Sequence, residues 1–305
     1  MTAHSAPCKP ETDARVKRLC VVYNPRAGMR REKRLRRTVA ALERRGCKVR
    51  LHRTNGAGDG ESIAAALPDC DRVVVAGGDG TIHEVVNGLA ARDLPIAVIP
   101  LGTANVLAHE LGLPRDPEGL ARTIVAGPAR RVHLGSVNGR RFVQMVGVGF
   151  DARVVARVNG ALKQRLGKLA FVVAFVQVML RYGSPRYRIE GNGTAAEAPF
   201  IVVSKGRHYG GPFRIAPDAG LDDPRLHACL FKRCGMLPSI RYGLALIANR
   251  LPRQAGFEIE TGRRFRIHGE DGDPIQADGE PAGHLPAEIV VLPNAARFVV
   301  PPDTG

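Results

Sequence analysis

The sequence predicts an α/β domain on a parallel sheet, followed by an antiparallel β domain. Three observations carry this. Strand-like apolar runs alternate four times with helical periodicity over about the first 110 residues, the pattern of a parallel sheet with crossover helices. Near residue 130 it gives way to short strands separated by Gly, Pro, Asn and Asp turns. The 305 residues are 44% apolar and 24% charged, an ordinary globular balance in a chain long enough for about two cores.

The elements follow in order. Leu19–Tyr23 is a β-branched run closed by Asn24-Pro25, a strand into a turn. Residues 30–45 carry Leu35, Val39 and Leu42 at i, i+4 and i+7 before Gly46, an amphipathic helix with a glycine stop. Val49–Leu51 reads as a second strand, and Ser62–Leu67 as a helix ending at Pro68. Arg72–Ala76 contains three consecutive valines, as a fully buried strand does, and runs into Gly77-Gly78-Asp79-Gly80. Helical periodicity resumes over Thr81–Ala91, and Ile96–Ile99 is another buried strand, followed by Gly102-Thr103 and a helix to about Leu111. A domain boundary near residue 130 divides the chain into 17–130 and 131–305. Beyond it the strand candidates are Val132–Val137, Arg141–Val146, Tyr187–Glu190, Phe200–Ser204, Leu226–Phe231, Phe257–Ile259, Phe265–His268, Glu288–Leu292 and Phe298–Val300. Helical insertions are expected at about 160–181 and 236–250.

Composition narrows the function. The net charge is +16 with His neutral, which leaves nucleic acid, an anionic membrane and a polyanionic small substrate as partners. The charge is concentrated: Arg26–Arg50 nets +9, Ala152–Ile189 nets +8, and the remainder nets −1. Neither basic stretch interleaves aromatics as a single-strand binder does, and the chain has no Trp, so no nucleic-acid partner is expected. A solvated helix face remains the plain alternative for both stretches. The longest apolar run, Leu169–Leu180, has twelve residues, well short of the ~20 that span a bilayer; it reads either as a buried helix or as part of a membrane-docking face. Six cysteines form no C-x-x-C pair, and the first eighteen residues lack the apolar core of a signal peptide. Reduced thiols and a cytoplasmic location are therefore expected.

The strongest local motif is Gly77-Gly78-Asp79-Gly80-Thr81 after a buried strand. Parallel strands deliver such loops to the carboxyl edge of the sheet, where ligands bind. Glycines let backbone amides approach a phosphate, and the following helix aims its positive end there. Asp79 could orient a phosphate-bound Mg²⁺ or a hydroxyl, or simply cap a helix. Leu101-Gly102-Thr103-Ala104-Asn105 follows the next strand, with Thr103 and Asn105 either hydrogen-bonding a nucleotide or starting a helix. Asn24-Pro25-Arg26-Ala27-Gly28 supplies a third edge loop. No P-loop is present. Gly147-Val148-Gly149-Phe150-Asp151-Ala152 matches G-x-G-x-x-A but lacks the acid ~20 residues on that a dinucleotide site needs. His83-Glu84-Val85-Val86-Asn87 misses a zinc helix by its last ligand. Near the C-terminus, Asp278-Gly279-Glu280 lies in an acid-rich stretch. Two close carboxylates can make a general base or share a metal, or the Asp-Gly can be a hairpin turn. Leu221-Asp222-Asp223 poses the same turn-or-metal choice.

Taken together, these motifs resemble the bacterial diacylglycerol kinase/sphingosine kinase family of lipid kinases. The resemblance spans about residues 17–300. Its carriers, in order, are Asn24–Gly28, Gly77–Thr81, Gly102–Asn105, Gly147–Ala152, Tyr209-Gly210-Gly211 with Ala216-Pro217 and Leu221-Asp222-Asp223, and Asp278-Gly279-Glu280. The glycine-aspartate block alone is shared with NAD kinases and phosphofructokinases.

The resemblance implies an NAD-kinase-like α/β domain that binds ATP, a C-terminal β-sandwich, and a site in the cleft between them. It implies nucleotide contacts from Asn24, Thr54, Gly77, Gly78, Asp79, Gly80, Thr81, His83, Gly102, Thr103 and Asn105. The catalytic base would be Glu280, or its partner Asp278, with Asp79 alongside. A structural Mg²⁺ would sit at Gly220, Asp223 and Arg225. The chain departs from the family pattern twice: His83 stands where many relatives have Asn, and Pro224-Arg225 replaces the usual Gly after the double Asp.

The expected function is ATP-dependent phosphorylation of a lipid hydroxyl, with ATP and Mg²⁺, peripheral to the inner face of an anionic membrane. Self-association into a homodimer stays open. The alternatives are an NAD-kinase-like soluble-metabolite kinase and a non-enzymatic, nucleotide-dependent membrane-binding protein.

Overall fold

A computed structural model describes residues 16–25, 29–157, 177–178, 182–183 and 185–302. The core of the N-terminal half is a parallel sheet of β1 (Arg18–Tyr23), β2 (Lys48–Arg53), β3 (Arg72–Gly77) and β4 (Pro95–Pro100), in the order β2-β1-β3-β4. Helices cover both faces, as all-parallel sheets require. On one face α1 (Met29–Arg44) and α5 (Pro117–Ala126) pack Leu35, Leu42, Leu120 and Ile124 onto Val21, Val74 and Ile99. On the other, α2 (Asp59–Ala65) and α3 (Asp79–Gly88) pack Ala64, Ile82 and Val86 onto Val22, Val73, Val75 and Val98. The strand order reverses between β1 and β3, the switch point where ligand crevices form in such sheets. A short helix, α4 (Val106–Glu110), follows β4.

The C-terminal half is a two-sheet sandwich. One sheet has the order β14-β13-β10-β7-β16-β17 and pairs antiparallel throughout. Its strands are β7 (Met145–Val148), β10 (Phe200–Ser204), β13 (Leu226–Phe231), β14 (Phe257–Gly262), β16 (Pro274–Ala277) and β17 (Glu280–His284). The facing sheet uses β5 (Ala129–Val137), β8 (Tyr187–Gly191), β15 (Arg264–His268) and β18 (Ala287–Val299). Phe142, Val148, Tyr187, Ile201, Leu230, Phe265 and Ile289 form the core between them. Helix α6 (Phe150–Arg157) leads off β7, and α7 (Met236–Ile247) packs Tyr242 and Ala245 on the outer face of the six-stranded sheet.

The two halves share one sheet. β18 pairs parallel with β4 and antiparallel with β5 and β15. The two strands expected at Glu288–Leu292 and Phe298–Val300 are one strand with a register shift between Leu292 and Ala296. The boundary drawn at residue 130 therefore falls inside β5, and the last strand returns to the first domain's sheet. The expected strand Arg141–Val146 is divided between β6 (Arg140–Phe142) and β7. Helix α5 carries an Asp116 cap and Pro117 at its start, a start signal that the strand-helix alternation left unread. The expected 236–250 insertion is α7; that at 160–181 lies almost wholly outside the described residues. Five cysteines are free among them, and no described helix is long and apolar enough to cross a membrane.

Candidate active site

The four parallel strands end at one edge, and each delivers a motif residue there. Asn24 follows β1, Thr54 follows β2, Gly77–Gly80 close β3 and open α3, and Gly102–Asn105 follow β4. Across the switch point, Asn24 Nδ2 donates to Thr81 Oγ1 at 3.2 Å. Thr54 is buried, its amide bonded to Tyr23 O at 2.9 Å.

The Gly77 and Gly102 loops touch backbone to backbone. A Cβ on Gly102 would come within 2.6 Å of Gly78 Cα. A side chain at either position would drive the loops apart. Helix α3 begins at Gly78 with no side-chain cap, so its first amides face outward as an anion site. Arg31, on α1, places Nη2 3.2 Å from Thr103 Oγ1 and brings a cation to the same edge. Asn105 stands in the left-handed region, φ 49°. Its Nδ2 donates to Gly102 O, and its buried Oδ1 has no hydrogen-bond partner. An unsatisfied buried acceptor beside a glycine loop suits a ligand donor such as a ribose hydroxyl or an adenine amine.

Asp79 does more than start its own helix. Its Oδ1 accepts from Leu107 N at 3.2 Å, so it caps α4 and ties the two loops together. Burial pushes its carboxyl above the ordinary range, against the lowering effect of the Leu107 and Val106 amides; the Asp278 charge adds to the rise.

The Asp278-Gly279 pair is a hairpin turn, and it presents Glu280. Both turn residues have positive φ, 52° and 84°, as the tight turn between β16 and β17 demands. The Gln276 side chain braces it: Oε1 accepts from Gly279 N at 2.8 Å, while Nε2 donates to Asp151 Oδ2 at 2.5 Å. Glu280 then extends from the sandwich to the glycine loop. A Cβ on Gly80 would lie 2.5 Å from Glu280 Oε1. The carboxylate thus sits at the positive end of α3.

Asp278 is turned the other way. Its carboxylate accepts the backbone amides of Val143, Gln144 and Met145 at 2.7–3.1 Å, and His83 Nδ1 lies 3.1 Å away. It is buried and committed to donors, so the expectation that it could share the role of base is revised. His83 is revised too. Arg140 Nε donates to His83 Nε2 at 3.2 Å, which leaves the proton on Nδ1 to meet Asp278. Both ring nitrogens are occupied by protein, and the ring is buried. Arg140 in turn reaches Glu61 Oε2 at 2.7 Å. The chain Glu61–Arg140–His83–Asp278 locks α3 to the hairpin.

The loop at Gly220, Asp223 and Arg225 does not fit a divalent cation. Lys205 Nζ donates to Gly220 O at 2.5 Å and to Asp223 O at 2.7 Å. The Asp223 carboxylate faces Arg225 Nε at 3.0 Å and His227 Nε2 at 2.9 Å. Nor do the described residues hold any group of three His, Cys, Asp or Glu that could bind a metal. The contacts of Arg31, Arg140 and Lys205 and the bracing role of Gln276 were not legible in the sequence. Arg31 lay within the noted basic run, whereas the other three depend on long-range contacts.

Comparison with known proteins agrees with this layout. The model of the diacylglycerol kinase catalytic domain matches residues 18–137, and that of the YegS C-terminal NAD kinase beta sandwich-like domain matches residues 144–300. A diacylglycerol kinase of Bacillus subtilis (strain 168) is 32% identical over 94% of this chain and 97% of its own. One from Staphylococcus carnosus (strain TM300) is 28% identical over 94% and 96%. The crystal structure of a diacylglycerol kinase from Bacillus anthracis strain Sterne superposes with a TM-score of 0.73 at 22% identity, covering 96% of this chain and all of the other. That likeness establishes the shared fold.

Proposed function

Because the chain belongs to the diacylglycerol kinase family and is a lipid kinase, we propose that it transfers the γ-phosphoryl group of ATP to the hydroxyl of diacylglycerol or a closely similar lipid alcohol. The observation that carries this is the apposition of Glu280 and Gly80: a carboxylate from the sandwich meets the phosphate loop of the α/β half.

In this reading the amides of Gly78–Thr81 and the open end of α3 hold the phosphates, and Arg31 adds a cation beside Thr103. Asn105 Oδ1 accepts from the nucleoside. Mg²⁺ entering with the triphosphate would neutralise charge on its oxygens, and Asp79 is the carboxylate within the loop that would hold it. The lipid oxygen attacks the γ-phosphorus as the bond to the ADP oxygen breaks. Glu280 takes the hydroxyl proton, and ADP leaves with the bond's electrons. Positioning and charge supply most of the rate, and a base of this kind about 10²–10⁴-fold.

The lipid side rests on α7. Met236, Leu237, Ile240, Leu244 and Ile247 are 46–63% exposed along one stripe of this helix. Monomer surfaces seldom expose such a stripe without a use. Arg233, Arg241 and Arg250 are exposed around it. Beneath the helix is an apolar cleft lined by Phe150, Tyr182, Phe200, Phe231, Tyr242 and Leu246, suited to acyl chains. The apolar stripe would enter a bilayer surface while the arginines meet anionic headgroups, each worth about 1 kcal/mol. On this proposal the enzyme works as a peripheral protein at an anionic membrane surface, the inner face. The basic segment expected to do so, 152–189, lies largely outside the described residues.

The test is ³²P transfer from ATP to dioleoylglycerol in mixed micelles, with NAD as a competing acceptor. Labelled phosphatidic acid is expected, formed about 10²–10⁴-fold more slowly by Glu280→Gln. Transfer to NAD without lipid would favour a soluble-metabolite kinase, and absence of any lipid-dependent turnover would overturn the proposal.

A further inference from the structure

We infer that the Lys205 ammonium is a built-in cation that takes the place of a structural divalent metal in the loop at 220–223. The argument begins with burial. Lys205 is 0% exposed, and lysine is almost never fully buried without partners. Its partners are main-chain carbonyls, Gly220 O and Asp223 O. Carbonyl oxygens turned inward around one positive charge are also what a hard cation would seek, and here an ammonium already holds two of them.

The surrounding charges match a single monovalent centre. Asp223, Asp222 and Glu110 all favour the ammonium. Asp223 is not a spare ligand. Its Oδ1 accepts from Arg225 Nε at 3.0 Å, and its Oδ2 lies 2.9 Å from His227 Nε2. Pro224-Arg225, the departure from the family pattern, is thus part of the same arrangement. Arg225 covers the carboxylate at 3.0 and 3.2 Å that a metal would otherwise claim.

The position also matters to the active site. His133 N donates to Leu221 O at 2.8 Å, and Leu221 packs in the α/β core. Lys205 N donates to Gln144 O at 2.7 Å, and Gln144 N donates to Asp278 Oδ1 at 2.7 Å. The ammonium thus anchors the 220–223 loop to a strand end whose main chain is bonded to Gln144, the neighbour of the Asp278 hairpin.

The experiment uses nucleotide-free protein, so its result does not depend on the lipid-kinase reading. Metal content is measured by inductively coupled plasma mass spectrometry after gel filtration, and melting is followed in EDTA, in Mg²⁺ and in Ca²⁺. The wild type is expected to carry no stoichiometric divalent ion and to melt at the same temperature in all three. Lys205→Met, which keeps the apolar stem but removes the charge, is expected to melt about 5 °C or more lower, as for a lost charged hydrogen-bond donor in a chain of this size. A bound divalent ion in the wild type, a lower melting temperature in EDTA, or an unchanged Lys205→Met would each overturn the proposal. If Lys205→Met does not fold, the two wild-type measurements decide it.

Discussion

Glu280 rests its carboxylate on Gly80: a single methyl on that glycine would sit 2.5 Å from Glu280 Oε1. The two residues are 200 positions apart in the chain and belong to different halves of the molecule. The contact exists because β18 welds the halves into one sheet and the Asp278-Gly279 turn aims Glu280 at α3.

Gly80→Ala should therefore act on catalysis rather than on folding. Alanine suits a helix start, and stability should change by less than about 1 kcal/mol. The displaced carboxylate should cost kcat roughly 10-fold or more, and Glu280→Gln about 10²–10⁴-fold. Steady-state kinetics beside urea denaturation checks both. A Gly80→Ala enzyme with wild-type kcat would refute the apposition as a catalytic contact.

Asp278→Asn should show the opposite signature. The amide turns an NH₂ group toward backbone donors of Val143, Gln144 and Met145. Loss of roughly 2–4 kcal/mol is expected, read as a lower urea midpoint. Activity should fall as a consequence, since the turn carries Glu280. Unchanged stability would mean that the carboxylate is not the anchor described.

For Asp79, pH separates charge from capping. Burial raises its folded value above the ordinary 3.8. Its share of stability is full below that ordinary value and is lost as pH rises through the folded one. At pH 7 the charged carboxylate is then a net cost. Asp79→Asn, which keeps an oxygen for Leu107 N, should match or exceed wild-type stability at pH 7, with the advantage fading toward pH 4. Kinase activity should drop in the same variant. Melting curves across pH would show it, and a large destabilisation at pH 7 would count against it.

Gly102→Ala tests the loop contact. Its Cβ would fall 2.6 Å from Gly78 Cα and 2.7 Å from Asn105 Oδ1. Both neighbours line the proposed nucleotide site, so the KM for ATP should rise about 10-fold or more, the scale of a misplaced positioning group. The KM for lipid should stay close to wild type.

The α7 stripe predicts a membrane phenotype. Leu237→Asp with Leu244→Asp alters two residues that are 59% and 63% exposed, so the fold should tolerate the change. Flotation with anionic vesicles should fall by an order of magnitude or more, while neutral vesicles recover less of the wild type. Equal flotation of variant and wild type would remove α7 from the docking surface.

The sequence alone determined the architecture of the N-terminal half. The buried strand Arg72–Gly77, apolar from Val73 onward, and helices with a 3.6-residue stripe are local signals, set by neighbours in the chain. The glycine loops were legible for the same reason, since a loop that must touch a phosphate or another loop writes its need for glycine into a few adjacent residues. Tertiary structure decided what local spacing left open. Asp-Gly-Glu could be a turn or a carboxylate pair, and only the fold sends Asp278 inward to three amides and Glu280 outward to Gly80. His83 could meet a nucleotide until Arg140 and Asp278 occupied both ring nitrogens. Lys205 carried no sequence signal, because its partners lie 15 and 18 residues away in an irregular loop. Charge and hydrogen-bond satisfaction are properties of what surrounds a group in space, and that is fixed only when distant segments pack.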